Sequence, residues 1–160
     1  MLSEKAIALI REYKAKYPHP RSALMPALWV AQEDCGGWIP KEALREVADL
    51  MDLTPADVES TCSFYSMYNK QPVGNYMIEV CTNISCALLG GERLLHHILT
   101  RLGVGLGETT PDGLFTVKHV ECMAACGGAP AIQVNSLYHE NMTPEKFDQL
   151  VEELKAAAEA

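Results

Sequence analysis

The sequence lacks any apolar run close to the roughly 20 residues that a bilayer-spanning helix needs. Its opening residues 1–14 carry charges throughout and contain no small-residue cleavage site, which argues against a signal peptide. Positive charge is also scarce, with 13 Lys and Arg against 21 Asp and Glu. Because phosphate recognition needs a basic surface, this balance argues against nucleic-acid binding. We therefore expect a cytoplasmic protein that reaches a membrane only through its partners.

The composition is that of a folded chain. Hydrophobic residues make up 48% of the 160 positions and charged residues 21%, so the sequence can bury a core and disorder is not expected. The length suits one domain, or one domain with an appendage. The charge is uneven, because residues 71–160 carry six of the eight net negative charges. Such a half suits a positively charged partner or a redox centre of low potential.

The first part of the chain, residues 1–72, reads as a series of short helices. Capping residues or prolines mark four predicted helix starts, at Ser3, Ser22, Pro40 and Thr54. A turn-rich segment follows at 72–75, where the texture of the sequence changes. These patterns predict an N-terminal helical bundle or arm.

The second part, residues 73–160, alternates between strand and helix patterns. Its order is β–α–β–β–β–α, which predicts a small α+β sandwich. The predicted strands lie at 76–80, 113–120, 131–134 and 137–139, and the predicted helices at 90–101 and from 143 to about 154.

Four of the six cysteines form two close pairs, Cys81-x4-Cys86 and Cys122-x3-Cys126, separated by 35 residues. The cytosol keeps thiols reduced, so these cysteines are not expected to form disulfides. Each pair follows a predicted strand directly and lies on a turn rich in small residues. Two such loops at one end of a sheet could gather four thiolates around one centre.

The ligand spacing leaves two kinds of metal open. Four thiolates also satisfy zinc, but structural zinc sites favour C-x2-C knuckles, which neither pair has. The wider loops favour a two-iron cluster over zinc, although both remain possible on spacing alone. A cluster of net charge about −2 in an acidic half would resist reduction, so we expect a low potential. Gly127 and Gly128 would let backbone amides approach the sulfur atoms.

Other candidate residues have simpler interpretations. A catalytic dithiol would use C-x2-C at a helix start and would leave one cysteine pair unexplained. Cys35 and Cys62 are interpreted as buried, inert thiols. The glycine-rich stretch 103–107 follows a helix, the reverse of the order that a dinucleotide-binding loop requires. The aromatic segment 64–68 fits either a core or an interface with another protein.

The motifs taken together resemble a known family, the small [2Fe–2S] subunit of the NADH dehydrogenase module of respiratory complex I (NADH:quinone oxidoreductase). The similarity runs along nearly the whole chain, and the combined C-x4-C and C-x3-C spacing is specific. The segments that carry it are GWIPKEAL at 37–44, FYSMYNKQPVGNY at 64–76, CTNISCALLGGE at 81–92, VECMAACGGAPAIQVN at 120–135 and MTPEKF at 142–147.

The resemblance implies a helical arm at 1–72 followed by a thioredoxin-like ferredoxin domain at 73–160. It implies one [2Fe–2S] cluster on Cys81, Cys86, Cys122 and Cys126. It also implies a larger partner subunit that binds NADH and FMN and exchanges single electrons with the cluster. The chain would then be an electron carrier within an oxidoreductase and not catalytic on its own. Equivalent subunits of NAD-linked hydrogenases and formate dehydrogenases fit the same motifs, and a structural zinc module is the less favoured alternative.

Overall fold

This computed structural model describes residues 1–159, and the chain divides into two compact units, Met1–Pro72 and Val73–Ala160. Each unit has its own hydrophobic core. Within residues 1–159, none of the helices combines the length and the apolar character needed to cross a membrane.

The first unit is entirely helical, as the sequence predicts. Local capping explains two of its helix starts, because the side-chain oxygens of Ser3 and Thr54 accept hydrogen bonds from the amides of Ala6 and Asp57, each at 3.2 Å. Its α-helices are α1 Glu4–Lys16, α2 Leu24–Asp34, α3 Lys41–Met51 and α4 Pro55–Phe64.

Two predicted helix starts need correction. Ser22 does not cap α2, since it lies inside a 3₁₀ helix, Pro20–Ala23, and Ala23 stands at the N-cap without a side-chain hydrogen bond. Pro40 occupies the N-cap of α3 and not the first helical position. In both cases the helix begins slightly later than the local pattern indicates, since local patterns locate helix ends only to within a residue or two.

In the first unit, a buried glutamine joins helix α2 to the segment that follows α4. Gln32 donates from Nε2 to the carbonyl of Met67 at 3.0 Å and accepts from the amide of Asn69 at 2.6 Å. The Asn69 carbonyl in turn accepts from the amide of Ile39 at 2.7 Å. These bonds hold the segment after α4 against α2, so the end of the unit is fixed by polar contacts as well as by apolar packing.

The second unit is built on one four-stranded sheet with the order β2-β1-β3-β4. Strands β1 and β2 run parallel, while β3 is antiparallel to β1 and to β4. The elements are β1 Tyr76–Cys81, α5 Ile84–Leu88, α6 Gly91–Leu102, β2 Phe115–Val120, β3 Ile132–Val134, β4 Leu137–His139 and α7 Pro144–Glu159.

Helices α6 and α7 contribute to the core beside the sheet. That core joins alternate side chains of β1 and β2 to the inner faces of the two helices: Ile78, Val80, Phe115 and Val117 with Leu94, Ile98, Phe147 and Val151. The predicted α+β class is confirmed. The short helix α5 was not predicted, because five residues are too few to show a helical period.

Candidate metal centre

The two cysteine loops leave the sheet at the same edge. Because β1 and β2 are parallel, their carboxyl ends meet there, and Cys81 pairs in register with Val120. The amide of Thr82 donates to the Val120 carbonyl at 3.0 Å, so the first residues beyond the two strands are still joined. Cys122 follows two residues after β2. The topology therefore brings the two cysteine-bearing segments together, as the sequence predicts.

The first cysteine pair is buried and does not lie on a turn as predicted, since Cys81 is the last residue of β1 and Cys86 lies within α5. Cys81 and Cys86 are 4% and 2% exposed and form a small core with Ala129 and Ala131. The Cys81 thiol donates to the carbonyl of Glu121 at 3.5 Å, which ties it to the second loop. Burial therefore keeps this pair of thiols away from water.

The pKa of the Cys86 thiol shows what surrounds it. Burial raises this pKa above its usual value, and the neighbouring Cys81 and Cys126 thiols raise it further. A backbone hydrogen bond from Ala131 acts in the opposite direction. The Cys86 thiol therefore interacts electrostatically with one cysteine of its own pair and with one cysteine of the other pair.

The cysteines of the second loop are exposed. Cys122 and Cys126 lie at the surface, and Cys126 begins a 3₁₀ helix, Cys126–Gly128. The amide of Ala124 points at the sulfur of Cys122 at 3.4 Å, in a turn where Ala124 has a φ of +61°. One backbone N–H is therefore aimed at sulfur in this loop, as expected for a site that holds negatively charged thiolates.

A polar contact links the side chains of the two loops. Asn83 caps α5 by accepting from the amide of Ile84 at 2.7 Å, and its Nδ2 lies 3.5 Å from the Glu121 carboxylate. Asn83 stands between the first two cysteines, and Glu121 immediately precedes Cys122. The contact therefore connects the two segments through exposed side chains.

Two glycines permit close packing around the cysteine loops. A Cβ at Gly91 would lie 2.8 Å from the carbonyl oxygen of Cys81 and 2.9 Å from that of Cys86. A Cβ at Gly128 would overlap the side chain of Glu140, whereas at Gly127 it would meet nothing within 4 Å. The close contact at Gly128 is with the Glu140 side chain, so the expected approach of the Gly127 and Gly128 amides to sulfur stays a prediction. Gly91 is a position that sequence reasoning missed.

The four cysteines supply the soft donor set that iron–sulfur clusters and zinc both use. Among residues 1–159, no three His, Cys, Asp or Glu side chains are arranged so that they could hold a single metal ion. A two-iron cluster makes a different demand, since each iron takes two thiolates. Two pairs on adjoining loops, one pair buried and one exposed, fit that requirement.

The remaining cysteines belong to the first unit. Cys62 is 1% exposed within the helical core, and Cys35 is half-buried. Burial raises the pKa of both thiols, so both remain protonated at neutral pH. The expected burial is confirmed for Cys62 and is wrong for Cys35, which is only half-buried.

His97 has a packing role, and the aromatic segment 64–68 lies partly in the core and partly at the surface. His97 bonds Asp148 at 3.0 Å and stands edge-on to Phe147, which is a packing role. In the aromatic segment, Tyr68 is buried and donates from its hydroxyl to the Met25 carbonyl at 2.8 Å, whereas Phe64 is 80% exposed. The segment is therefore part core and part surface.

Comparison with known proteins connects these loops to a family. The model of the thioredoxin-like [2Fe–2S] ferredoxin family matches residues 10–155, a range that includes all four paired cysteines. A subunit of the NADH-quinone oxidoreductase of Rhizobium meliloti is 43% identical over 143 residues, covering 89% of this chain and 84% of the relative. A subunit of the NADH-quinone oxidoreductase of Thermus thermophilus is 43% identical over 150 residues, covering 92% and 82%.

Solved structures share the fold. A chain of an NAD⁺-reducing [NiFe]-hydrogenase in the H₂-reduced state superimposes with a TM-score of 0.71 at 24% identity. The match covers 83% of this chain but only 22% of the hydrogenase chain. At this level of identity the similarity concerns the fold alone.

Proposed function

This chain belongs to the thioredoxin-like [2Fe–2S] ferredoxin family, and from that premise we propose that it is the electron-transfer subunit of an NADH:quinone oxidoreductase, or complex I. In this proposal Cys81, Cys86, Cys122 and Cys126 hold one [2Fe–2S] cluster. A larger partner subunit binds NADH and FMN, and its flavin exchanges single electrons with the cluster. The family membership confirms the expected resemblance and fold class.

One observation carries the assignment of the ligands. The parallel pairing of β1 and β2 brings the ends of both strands, and hence both cysteine loops, to one edge of the sheet. The Cys86 thiol interacts electrostatically with Cys81 and with Cys126, which supports the same arrangement. Within residues 1–159, the two remaining cysteines, Cys35 and Cys62, lie in the helical unit and are not close in sequence to another cysteine.

The chain's own residues would perform two tasks. A bound cluster would supply the capacity to accept and return one electron. The buried Cys81 and Cys86 would hold its inner side away from water, and the exposed Cys122 and Cys126 would bring its outer side to the surface where a partner can approach. Hydride transfer from NADH would belong to the partner subunit, so this chain is not catalytic on its own.

The relatives support the proposed partners and location. Proteins named as NADH-quinone oxidoreductase subunits match more than four-fifths of this chain at about 43% identity. We infer that the chain is cytoplasmic and is held at the inner membrane through the complex. Purification of the native complex through a tag on this chain tests the proposed partner. We expect an FMN-containing NADH-binding subunit to co-purify, and recovery of the chain without any flavoprotein would overturn the proposal.

Two alternatives predict other results in the same experiment. The fold similarity to an NAD⁺-reducing hydrogenase keeps an equivalent subunit of such an enzyme open, and co-purification of a hydrogenase or formate dehydrogenase subunit would favour it. A structural zinc module would give colourless protein with zinc and no iron. The higher identity to NADH-quinone oxidoreductase subunits, 43% against 24%, favours the complex I assignment.

A further inference from the structure

One ion pair of the second unit lies in the same strand as a candidate ligand. In β1, Ile78 and Val80 point into the core beside α6 and α7, so Glu79 and Cys81 point to the opposite face of the sheet. Glu79 is paired in register with Lys118 on β2. Its carboxylate lies 2.9 Å from the Lys118 ammonium.

This ion pair is largely withdrawn from water. The side chains of Glu79 and Lys118 are 16% and 22% exposed, lower than in any of the other ion pairs between acidic and basic side chains found in residues 1–159. Charges in such a position are screened by salt much less than surface charges. The field of each charge therefore reaches neighbouring groups on the same face of the sheet.

The pair is close to Cys81. Residues two apart on a strand are separated by about 6.6 Å, and neighbouring strands by about 4.8 Å, so both charged residues lie within roughly 10 Å of Cys81 along the sheet. Lys118 is also one of only five Lys and Arg residues between positions 71 and 160. A change in either charge would be felt at the thiolates.

We propose that Glu79 and Lys118 lie close enough to Cys81 for each charge to shift the reduction potential of the cluster, and that their ion pair makes the two shifts cancel. This inference rests on the proposed function, since it needs a cluster on the four cysteines. Reduction adds one negative charge to a centre that is already anionic. Lys118 therefore favours the reduced form, Glu79 opposes it, and the pair keeps their two effects in balance.

Single substitutions separate the two charges. Glu79→Gln removes the negative charge and keeps the ammonium, so the midpoint potential rises. Lys118→Met removes the positive charge and keeps the carboxylate, so the midpoint potential falls. At a fixed ambient potential each change should alter the ratio of reduced to oxidised cluster by on the order of tenfold, in opposite directions, as expected for a unit charge at this distance in a partly buried site. The double variant should return close to the parent value.

The measurement is a redox titration of the native complex at constant pH, followed by the paramagnetic resonance of the reduced cluster. Glu152→Gln is the matched control, because it removes the same charge from an exposed ion pair with Arg101. Arg101 lies ten residues, or about 15 Å, along α6 from Gly91, the residue that packs against Cys81. Its potential should stay at the parent value. Lys118→Arg keeps the charge and should do the same.

The outcomes distinguish this inference from the proposed function. If the parent protein contains no cluster, the proposed function fails. If the cluster is present but Glu79→Gln and Lys118→Met shift its potential in the same direction, or not at all, the inference is overturned. A shift in Lys118→Arg as large as that in Lys118→Met would also overturn it. Should Lys118→Met fail to hold a cluster, the sign of the shift in Glu79→Gln decides: a rise supports the inference and any other result contradicts it.

Discussion

Gly91 lies directly against Cys81, since a Cβ built on Gly91 would stand 2.8 Å from the Cys81 carbonyl oxygen. The same Cβ would stand 2.9 Å from the carbonyl oxygen of Cys86. Both obstacles are backbone atoms, which cannot rotate aside as a flexible side chain can. The first residue of α6 therefore fixes how closely the helix packs onto the loop that carries the first two cysteines.

Gly91→Ala should damage the cysteine loop. The added methyl group forces the backbone of Cys81 and Cys86 away from α6, and overpacking of this kind costs about 1–3 kcal/mol of unfolding free energy. We expect less iron bound per chain and a lower denaturation midpoint. The iron content of the purified variant, compared with its far-ultraviolet circular dichroism, separates loss of the site from loss of the fold.

The control for that change is Gly105→Ala. Its added Cβ would meet only the flexible carboxylate end of Glu108, at 3.0 Å, and Gly105 does not have a left-handed φ. Iron content should match that of the parent. Equal iron content in Gly91→Ala and Gly105→Ala would contradict the role assigned to Gly91.

The cysteines should fall into two classes on substitution. Cys86→Ala or Cys126→Ala removes a thiolate that no backbone group can replace, so the cluster should be lost or made unstable. Cys62→Ala removes a buried sulfur from the helical core, so it should lower stability by about 1 kcal/mol and leave the iron content unchanged. Visible absorbance and iron per chain measure this difference. Full absorbance in Cys86→Ala would disprove its assignment as a ligand.

Tyr68→Phe tests the polar contact that helps close the first unit. The hydroxyl donates to the Met25 carbonyl, and burial raises the pKa of Tyr68 to about 12. At neutral pH the loss of this hydrogen bond should cost about 1 kcal/mol of unfolding free energy. Tyr65→Phe, at a half-exposed position, should cost less.

The raised pKa of Tyr68 also predicts an alkaline effect. In the unfolded chain a tyrosine ionises near pH 10, so the stability that neutral Tyr68 contributes is lost as pH rises from about 10 towards 12. The unfolding free energy of the parent should therefore fall faster over this range than that of Tyr68→Phe. Parallel curves for the two proteins would refute the prediction.

Asp34 should contribute stability that depends on acid pH. The Ser3 hydroxyl donates to its carboxylate at 2.5 Å and the Ser3 amide at 2.7 Å, and these bonds lower the pKa of Asp34. A carboxyl whose pKa is depressed by folding stabilises the protein above its unfolded pKa of about 3.9, and this contribution is lost as pH falls through the folded-state pKa. Asp34→Asn should therefore destabilise at pH 7, and the deficit should shrink below about pH 4.

Denaturant unfolding at pH 7 and at pH 3 measures that deficit. Asp49→Asn, at an exposed position of α3, is the matched control and should show little change at either pH. A deficit for Asp34→Asn that is equal at both pH values would show that the charge of Asp34 is not responsible.

Features that depend on residues close together in the sequence were the ones that the sequence could predict. Ser3 and Thr54 cap their helices as predicted because capping depends on residues only three positions away. Ser22 failed as a cap because the chain after Pro20 first forms a 3₁₀ turn, and α2 continues from it without a side-chain cap. The strand patterns predicted where the two cysteine pairs begin, since Cys81 is the last residue of β1 and Cys122 lies two residues beyond β2.

Other features of the site depend on tertiary packing and left no local pattern. The spacing did not reveal that Cys81 and Cys86 are buried while Cys122 and Cys126 are exposed, because burial depends on contacts with Ala129 and Ala131 from a distant segment. The requirement for glycine at position 91 likewise could not be predicted from the sequence, since it arises from the packing of α6 against the backbone of Cys81 and Cys86. Register across the sheet was needed before Glu79 could be paired with Lys118.

The most direct test is the amount of iron and acid-labile sulfide per chain, measured together with the paramagnetic resonance spectrum of the reduced protein. We expect two irons and two sulfides per chain, a reddish-brown protein, and a spin signal that appears only on reduction. A colourless protein that contains one zinc ion per chain and stays silent after reduction would contradict the account.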